Sequence, residues 1–111
     1  MLKLITAAVG GILCISVHSH AFANDAELIG YTLIDIKTIE DDFEGCDFDK
    51  VIKFLDGTSL VCSSYSYTYD FMPEAKIYRR RIKFKEKDYM SIKMVVDDEV
   101  YDMMPILISK N

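Results

Sequence analysis

The sequence predicts a small all-β domain that follows a cleaved signal helix. We expect an SH3-like or similar antiparallel barrel of five to seven short strands. Short runs rich in β-branched and aromatic residues are separated by turn residues every 8 to 12 positions. No helical period of useful length follows the first 23 residues. Barrel closure suits a chain of 111 residues because it removes most exposed strand edges. A five-stranded oligonucleotide-binding-type barrel is the alternative.

Residues 1–23 are predicted to be a secretion signal peptide, and residues 24–111 a single small β domain. Lys3 gives the segment a positive start, and a fourteen-residue uncharged, mostly apolar run follows it. Ala21 and Ala23 place small residues where signal peptidase requires them. We therefore expect cleavage after Ala23 and a periplasmic or secreted location.

Two other interpretations of the leader are weaker. As a helix, residues 4–17 would span roughly 21 Å, which is short of a hydrocarbon core of about 30 Å. A lipoprotein would be acylated at Cys14, but Leu13 occupies the position before it, where a small residue is usual. We expect no transmembrane segment after cleavage.

Composition excludes several chemistries from the mature chain. The two histidines, His18 and His20, lie in the leader. Ser-His-Asp and Cys-His catalysis and His-ligated zinc are therefore excluded, and we predict no metal and no cofactor. The mature chain has 12 bases and 18 acids, a net charge of −6, which argues against nucleic acid as a partner. Charge is divided: residues 24–74 hold 12 acids and 3 bases, and residues 75–111 hold 9 bases and 6 acids.

Cleavage leaves two cysteines, Cys46 and Cys62. An even number in a small exported domain favours a disulfide. The chain-entropy model values a loop of this size at roughly 3 kcal/mol. Free thiols and a redox pair are the alternatives, although redox pairs usually lie two residues apart. We expect the bridge to hold the acidic segment against the sheet.

The first half of the domain is predicted to hold a strand, a loop and a hairpin. Residues 28–39 are rich in β-branched side chains and predict a strand, and the acidic segment 40–49 predicts a loop. Residues 51–55 and 58–62 flank Asp56-Gly57 and predict a hairpin with a two-residue turn. That turn would place Val51 opposite Cys62.

The second half is predicted to be strands alone. Alternating or β-branched residues predict strands over 63–71, 75–78, 81–85, 89–96 and 100–103, with turns at 86–88 and 97–98.

An aromatic row stands at every second position of the first of these strands: Tyr65, Tyr67, Tyr69 and Phe71. A strand places all four side chains on one face. The row is either the inward face of the barrel or an exposed platform for sugar rings or a protein partner. We select Tyr65, Tyr67 and Tyr69 as candidate binding residues.

Two charged clusters are further candidates. Six carboxylates lie in ten residues around Asp47 and Asp49, which we select as the acidic part of the contact surface. The cluster is a solvated loop, a cation site or a surface for a basic partner. Residues 76–87 hold seven bases, which either pair with acids on neighbouring strands or contact anionic lipids or envelope phosphates.

The sequence resembles a group of small exported proteobacterial proteins of unknown function. The resemblance rests on Gly45-Cys46-Asp47-Phe48, Lys50-Val51-Ile52, Gly57, Leu60, Cys62, Tyr65, Tyr67, Tyr69 and Pro73-Glu74-Ala75, with Lys93 to Asp102 as a supporting tail. It implies an architecture and no activity.

These observations favour a non-enzymatic periplasmic or secreted binding module for a protein partner or an envelope glycan. An inhibitor or immunity protein against a basic envelope-attacking enzyme fits the charge. A structural subunit of an envelope complex is the alternative. A small carboxylate-dependent hydrolase is the third interpretation, because many pairs of acids could reach the spacing that glycosidases use.

Overall fold

The computed structural model describes residues 25–108, and the predicted signal peptide lies outside them. The elements in chain order are a 3-10 helix (Asp25–Leu28), β1 (Thr32–Thr38), β2 (Asp42–Cys46), β3 (Val51–Lys53), β4 (Ser59–Val61), β5 (Ser66–Phe71), β6 (Glu74–Phe84), β7 (Lys87–Val96) and β8 (Glu99–Leu107). Every ladder is antiparallel. The predicted all-β class is confirmed. None of the described helical residues forms a segment long and apolar enough to cross a membrane.

The strands form three sheets, in the orders β1-β6-β7-β8, β2-β5 and β3-β4. The four-stranded and the β3-β4 sheets meet through two single bridges, Ile39 with Phe54 and Cys62 with Met103. The predicted closed barrel is therefore wrong, because isolated bridges and not continuous ladders join the four-stranded sheet to the β3-β4 sheet. The physical reason is length, because β3 and β4 have three residues each and cannot follow the long edges of β1 and β8.

The β1-β6 and β2-β5 ladders are two parts of one long pairing with a kink between them. At the kink Asp41 and Met72 have φ values of 62° and 48°, and the Met72 N–H donates to the Asp41 carbonyl at 3.1 Å. The prediction of an acidic loop over residues 40–49 is therefore wrong for Asp42–Cys46, which form β2. Asp42-Phe43-Glu44 alternates polar and apolar, so β2 buries Phe43 and exposes both acids.

The β3-β4 hairpin exists, but its predicted register is wrong by one residue. Val51 pairs with Val61, so Cys62 shares the buried face of Ile52 and Phe54. The loop has three residues and not two, with Gly57 at φ 91°. The Asp56 carboxylate stabilises this longer loop by accepting hydrogen bonds from the N–H and hydroxyl of Thr58, at 2.9 and 2.6 Å.

The C-terminal half forms two long hairpins. Residues predicted as two strands, 75–78 and 81–85, form one strand of 11 residues, β6. The turn after it lies at Lys85 and Glu86, both at positive φ, and not at 86–88. The predicted turn at 97–98 is confirmed, and β8 continues four residues beyond its predicted end at 103. Positive φ at both turn positions matches the twist of the flanking strands.

One core lies between the four-stranded sheet and the β2-β5 and β3-β4 pairs. Its buried members are Ile39, Phe43, Cys46, Ile52, Phe54, Cys62, Ala75, Ile77, Ile92, Met94, Val96, Tyr101 and Met103. Phe43 and Tyr101 meet edge to face, with ring centroids 5.4 Å apart. Burial raises the pKa of Tyr101 to about 12.

The predicted disulfide is confirmed. Cys46 at the end of β2 is bonded to Cys62 after β4, with their Cα atoms 5.6 Å apart. Both residues are buried, so the bridge fixes the start of the 47–50 turn to the core. The disulfide joins the β2-β5 ladder to the end of the β3-β4 hairpin, where Cys62 forms an isolated β-bridge with Met103 of β8.

Candidate binding surface

The aromatic row is exposed. The exposed fractions of Tyr65, Tyr67, Tyr69 and Phe71 are 64, 68, 56 and 62%. The alternating residues of β5 (Ser66, Thr68 and Asp70) are half-buried on the opposite face. The row therefore does not fill the core, which is built from aliphatic residues, Phe43, Phe54 and Tyr101. Four neighbouring aromatic side chains in solvent form an apolar surface of the kind that marks contact sites.

The same face carries two carboxylates from β2, Asp42 and Glu44. Asp42 pairs across the ladder with Phe71, and its Oδ1 accepts a hydrogen bond from the Tyr69 hydroxyl at 3.0 Å. That hydrogen bond raises the pKa of Tyr69, and partial burial and the charges of Asp42 and Glu44 add to the effect. We call this surface the acidic aromatic face. It consists of Tyr65, Tyr67, Tyr69 and Phe71 with the carboxylates of Asp42 and Glu44.

Gly45 allows the two strands of this face to approach each other. It pairs with Tyr67 at a register shift in the ladder and has a φ of 86°. A Cβ atom at this position would lie 2.0 Å from the backbone oxygen of Ser66. The position therefore requires glycine both for its φ and for its lack of a side chain.

Asp47 and Asp49 lie in an exposed turn at one end of the row. The Asp47 carboxylate accepts a hydrogen bond from the Phe48 N–H at 2.8 Å, and the Asp49 N–H donates to the Cys62 carbonyl at 3.1 Å. Because Cys46 pairs with Ser66, this turn leaves β2 where β5 begins, next to Tyr65. The structure therefore places the two selected acids at the Tyr65 end of the row, and Phe71 lies at the opposite end.

The acids do not form a metal centre. Over residues 25–108, no group of three or more His, Cys, Asp or Glu side chains is arranged to hold a metal ion. Asp42 and Glu44 were not selected from the sequence because the whole acidic segment was predicted to be a loop. Their alternation with buried Phe43 was the signal that could have placed them on the aromatic face.

A carboxyl pair lies at the opposite side of β5. Asp70 and Asp97 lie beside each other in a depression of about 350 Å³, which is also lined by Pro73, Glu74, Lys76, Val95 and Asp98. A hydrogen bond with Asp70 raises the pKa of Asp97, with further contributions from burial and from the charges of Asp70 and Asp98. Asp70 is half-buried but Asp97 is exposed, so the pair lies in an open depression without the enclosure that acid–base catalysis uses.

Comparison with protein-family models, with curated proteins and with solved structures finds no match to this chain.

Proposed function

We propose that this protein is a non-enzymatic binding module that acts in the periplasm or outside the cell. Its contact surface consists of Tyr65, Tyr67, Tyr69 and Phe71 with the carboxylates of Asp42, Glu44, Asp47 and Asp49. The observation that carries the proposal is the exposure of the whole aromatic row on a paired β-ribbon.

The chemistry of the surface suits a protein partner or an envelope glycan. Tyrosine offers a large contact area at a small entropy cost, because its side chain has only two rotatable bonds. Aromatic faces stack on sugar rings or apolar side chains, and the hydroxyls and carboxylates provide hydrogen bonds to sugar hydroxyls or to basic side chains. The β2-β5 ladder holds these groups in place before a ligand arrives, which lowers the cost of binding.

The disulfide supports the proposed location. Disulfides persist in oxidising compartments and are rare in the cytosol. Cys46 and Cys62 are bonded and buried, so the bridge belongs to the core and is not an exposed redox pair.

The test is retention of ligands from a cell-envelope extract by immobilised protein. We expect the wild type to retain a protein or glycan that the variant Tyr67→Ala/Tyr69→Ala does not retain. The control Ile29→Ala/Leu55→Ala removes two exposed apolar side chains that lie outside the contact surface and should retain the ligand. Release by salt or by a soluble glycan is expected for a binding module. Equal retention by wild type and the tyrosine variant would contradict the proposal.

The structural-subunit alternative has one observation in its favour, the exposed β1 edge. Leu33, Ile34 and Ile36 are 44, 44 and 50% exposed, and an apolar edge strand can pair with another chain. However, the Ile36 N–H already donates to the Asp35 carboxylate at 2.8 Å, which places a charge on that strand. A stoichiometric complex that persists in high salt and does not need the tyrosines would favour this alternative.

A further inference from the structure

The two ends of the four-stranded sheet carry opposite charge. At one end is the β6-β7 turn, and the segment 79–89 around it contains six bases and two acids, Glu86 and Asp88. At the other end is the β7-β8 turn, where Asp97, Asp98 and Glu99 follow one another near Asp70 and Glu74. We call residues 79–89 with Ile106 and Leu107 the basic end of the sheet.

The bases of this end form no ion pair within residues 25–108, and the Nζ atom of Lys85 lies 5.4 Å from the centroid of the neighbouring Phe84 ring. Within the described residues the ion pairs are those of Lys37 and Lys93, and none includes a base of the basic end. Arg79, Arg81 and Lys83 share one face by strand alternation, and all three are exposed. Arg80 is on the other face, where its guanidinium stacks over the Tyr31 ring at 5.5 Å. Of the alternatives for this run, pairing with acids on neighbouring strands is not observed within residues 25–108.

Apolar side chains lie at the same end of the sheet, on the face of Arg80 and opposite to Arg79, Arg81 and Lys83. Ile82, Tyr89 and Leu107 are direct neighbours across three strands, and Phe84 lies one step nearer the turn on the same face. Phe84 is 58% exposed and Leu107 is 54% exposed. The exposed Phe84 ring therefore lies beside the β6-β7 turn together with the cationic side chains of Lys83, Lys85 and Lys87.

We propose that the basic end docks on the surface of an anionic phospholipid bilayer. The lysines and arginines would pair with lipid phosphates, and Phe84, Tyr89 and Leu107 would enter the interface between headgroups and acyl chains, where such side chains are favoured. The acidic end does not cancel this attraction. The ten residues of β7 separate the two ends by roughly 30 Å, whereas charges are screened over about 8 Å at physiological salt.

This inference goes beyond the proposed function because it concerns a different surface. From the kink, the β2-β5 ladder packs over the four-stranded sheet, where Phe43 meets Tyr101 and Cys46 is bonded to Cys62. The acidic aromatic face and the basic end of the sheet are therefore formed by different strands.

The first test uses tryptophan as a reporter, because the chain has none. Phe84→Trp reports on the basic end, and Leu55→Trp is the matched control, since Leu55 is also 58% exposed beside a hairpin turn. Vesicles of equal parts phosphatidylglycerol and phosphatidylcholine should shift the emission of the first variant to shorter wavelength and leave the second unchanged. Phosphatidylcholine vesicles should shift neither, and 0.5 M NaCl should reverse the shift, as expected for electrostatic attraction.

The second test uses charge reversal and vesicle sedimentation. Lys83→Glu/Lys85→Glu should weaken vesicle binding by about tenfold or more, because each basic residue near an anionic membrane surface adds to the electrostatic attraction. Lys53→Glu/Lys76→Glu makes the same change in net charge away from the basic end and should bind like wild type. The proposal would be overturned if both charge-reversal variants lost vesicle binding equally. It would also be overturned by an emission shift for Tyr67→Trp without one for Phe84→Trp. Full competition by inorganic phosphate at constant ionic strength would contradict it as well. Failure here leaves retention by the tyrosine surface unaffected.

Discussion

Tyr69 of β5 donates a hydrogen bond from its hydroxyl to the carboxylate of Asp42 on β2, across the exposed face of the ladder, at 3.0 Å. This contact, with the neighbouring negative charges, raises the pKa of Tyr69 above its ordinary value of 10. We predict that Tyr69 ionises at higher pH than an unperturbed tyrosine and that Asp42→Asn lowers its pKa.

The measurement is a tyrosinate absorbance titration, with Tyr69→Phe subtracted to isolate the signal of this one residue. If the Asp42→Asn variant titrates as the wild type does, the contact is absent in solution.

Reduction of the Cys46–Cys62 bridge should lower the free energy of unfolding by about 3 kcal/mol, because the reduced chain regains the entropy of a 16-residue separation. Both cysteines are buried, so reduction in native buffer should be slow and should accelerate in moderate urea. Urea denaturation of oxidised and reduced protein measures the difference. An unchanged midpoint would show that the bridge does not stabilise the fold.

Gly45 of β2 and Gly57 of the β3-β4 loop should respond differently to alanine. Gly57 has a φ of 91° with no atom within 4 Å of an added Cβ, so Gly57→Ala should cost only about 1–2 kcal/mol of backbone strain. Gly45→Ala adds a clash with the Ser66 backbone and should cost roughly 3 kcal/mol or more. Thermal unfolding of both variants tests this order. Equal costs would mean that the β2-β5 ladder is not paired as described.

The Asp70–Asp97 pair predicts a specific pH dependence. Because the pKa of Asp97 is raised in the folded state, the folded protein binds its proton more tightly than the unfolded chain does. The stabilisation is therefore complete below the ordinary aspartate pKa of 3.8 and is lost as the pH rises through the folded-state pKa. Asp97→Asn removes the repulsion that remains at neutral pH and should raise the melting temperature at pH 7.

The control for this prediction is the pH profile itself. Asparagine also tolerates the positive φ of this turn well, but that gain does not depend on pH. The advantage of Asp97→Asn should therefore shrink between pH 7 and pH 3. A constant difference over this range would assign the effect to backbone preference alone.

The strand content and the disulfide could be predicted from the sequence because both depend on local signals. The alternation at residues 65–71 predicted a strand, and the two cysteines that follow the predicted signal peptide, Cys46 and Cys62, predicted the disulfide. The hairpin register could not be derived, because it depends on the Asp56 carboxylate stabilising a three-residue loop over the two-residue turn that Asp-Gly favours.

The exposure of the aromatic row also could not be predicted. A strand with four aromatics on one face is compatible with a core or a surface, and the choice depends on which face of β5 meets the rest of the fold. Here Phe43 and Cys46 of β2 turn inward, and they pair with Asp70 and Ser66 of β5. That pairing forces the tyrosines outward.

Oxidative footprinting of tyrosine measures directly whether Tyr67 and Tyr69 form the contact surface. In the free protein, Tyr67 and Tyr69 should be modified rapidly, whereas Tyr101, which is 1% exposed, should be modified slowly and serves as an internal reference. When the ligand retained from the envelope extract is bound, we predict that Tyr67 and Tyr69 become protected while the rate of modification at Tyr101 does not change. Slow modification of the two surface tyrosines in the free protein, or unchanged modification in the complex, would contradict this prediction.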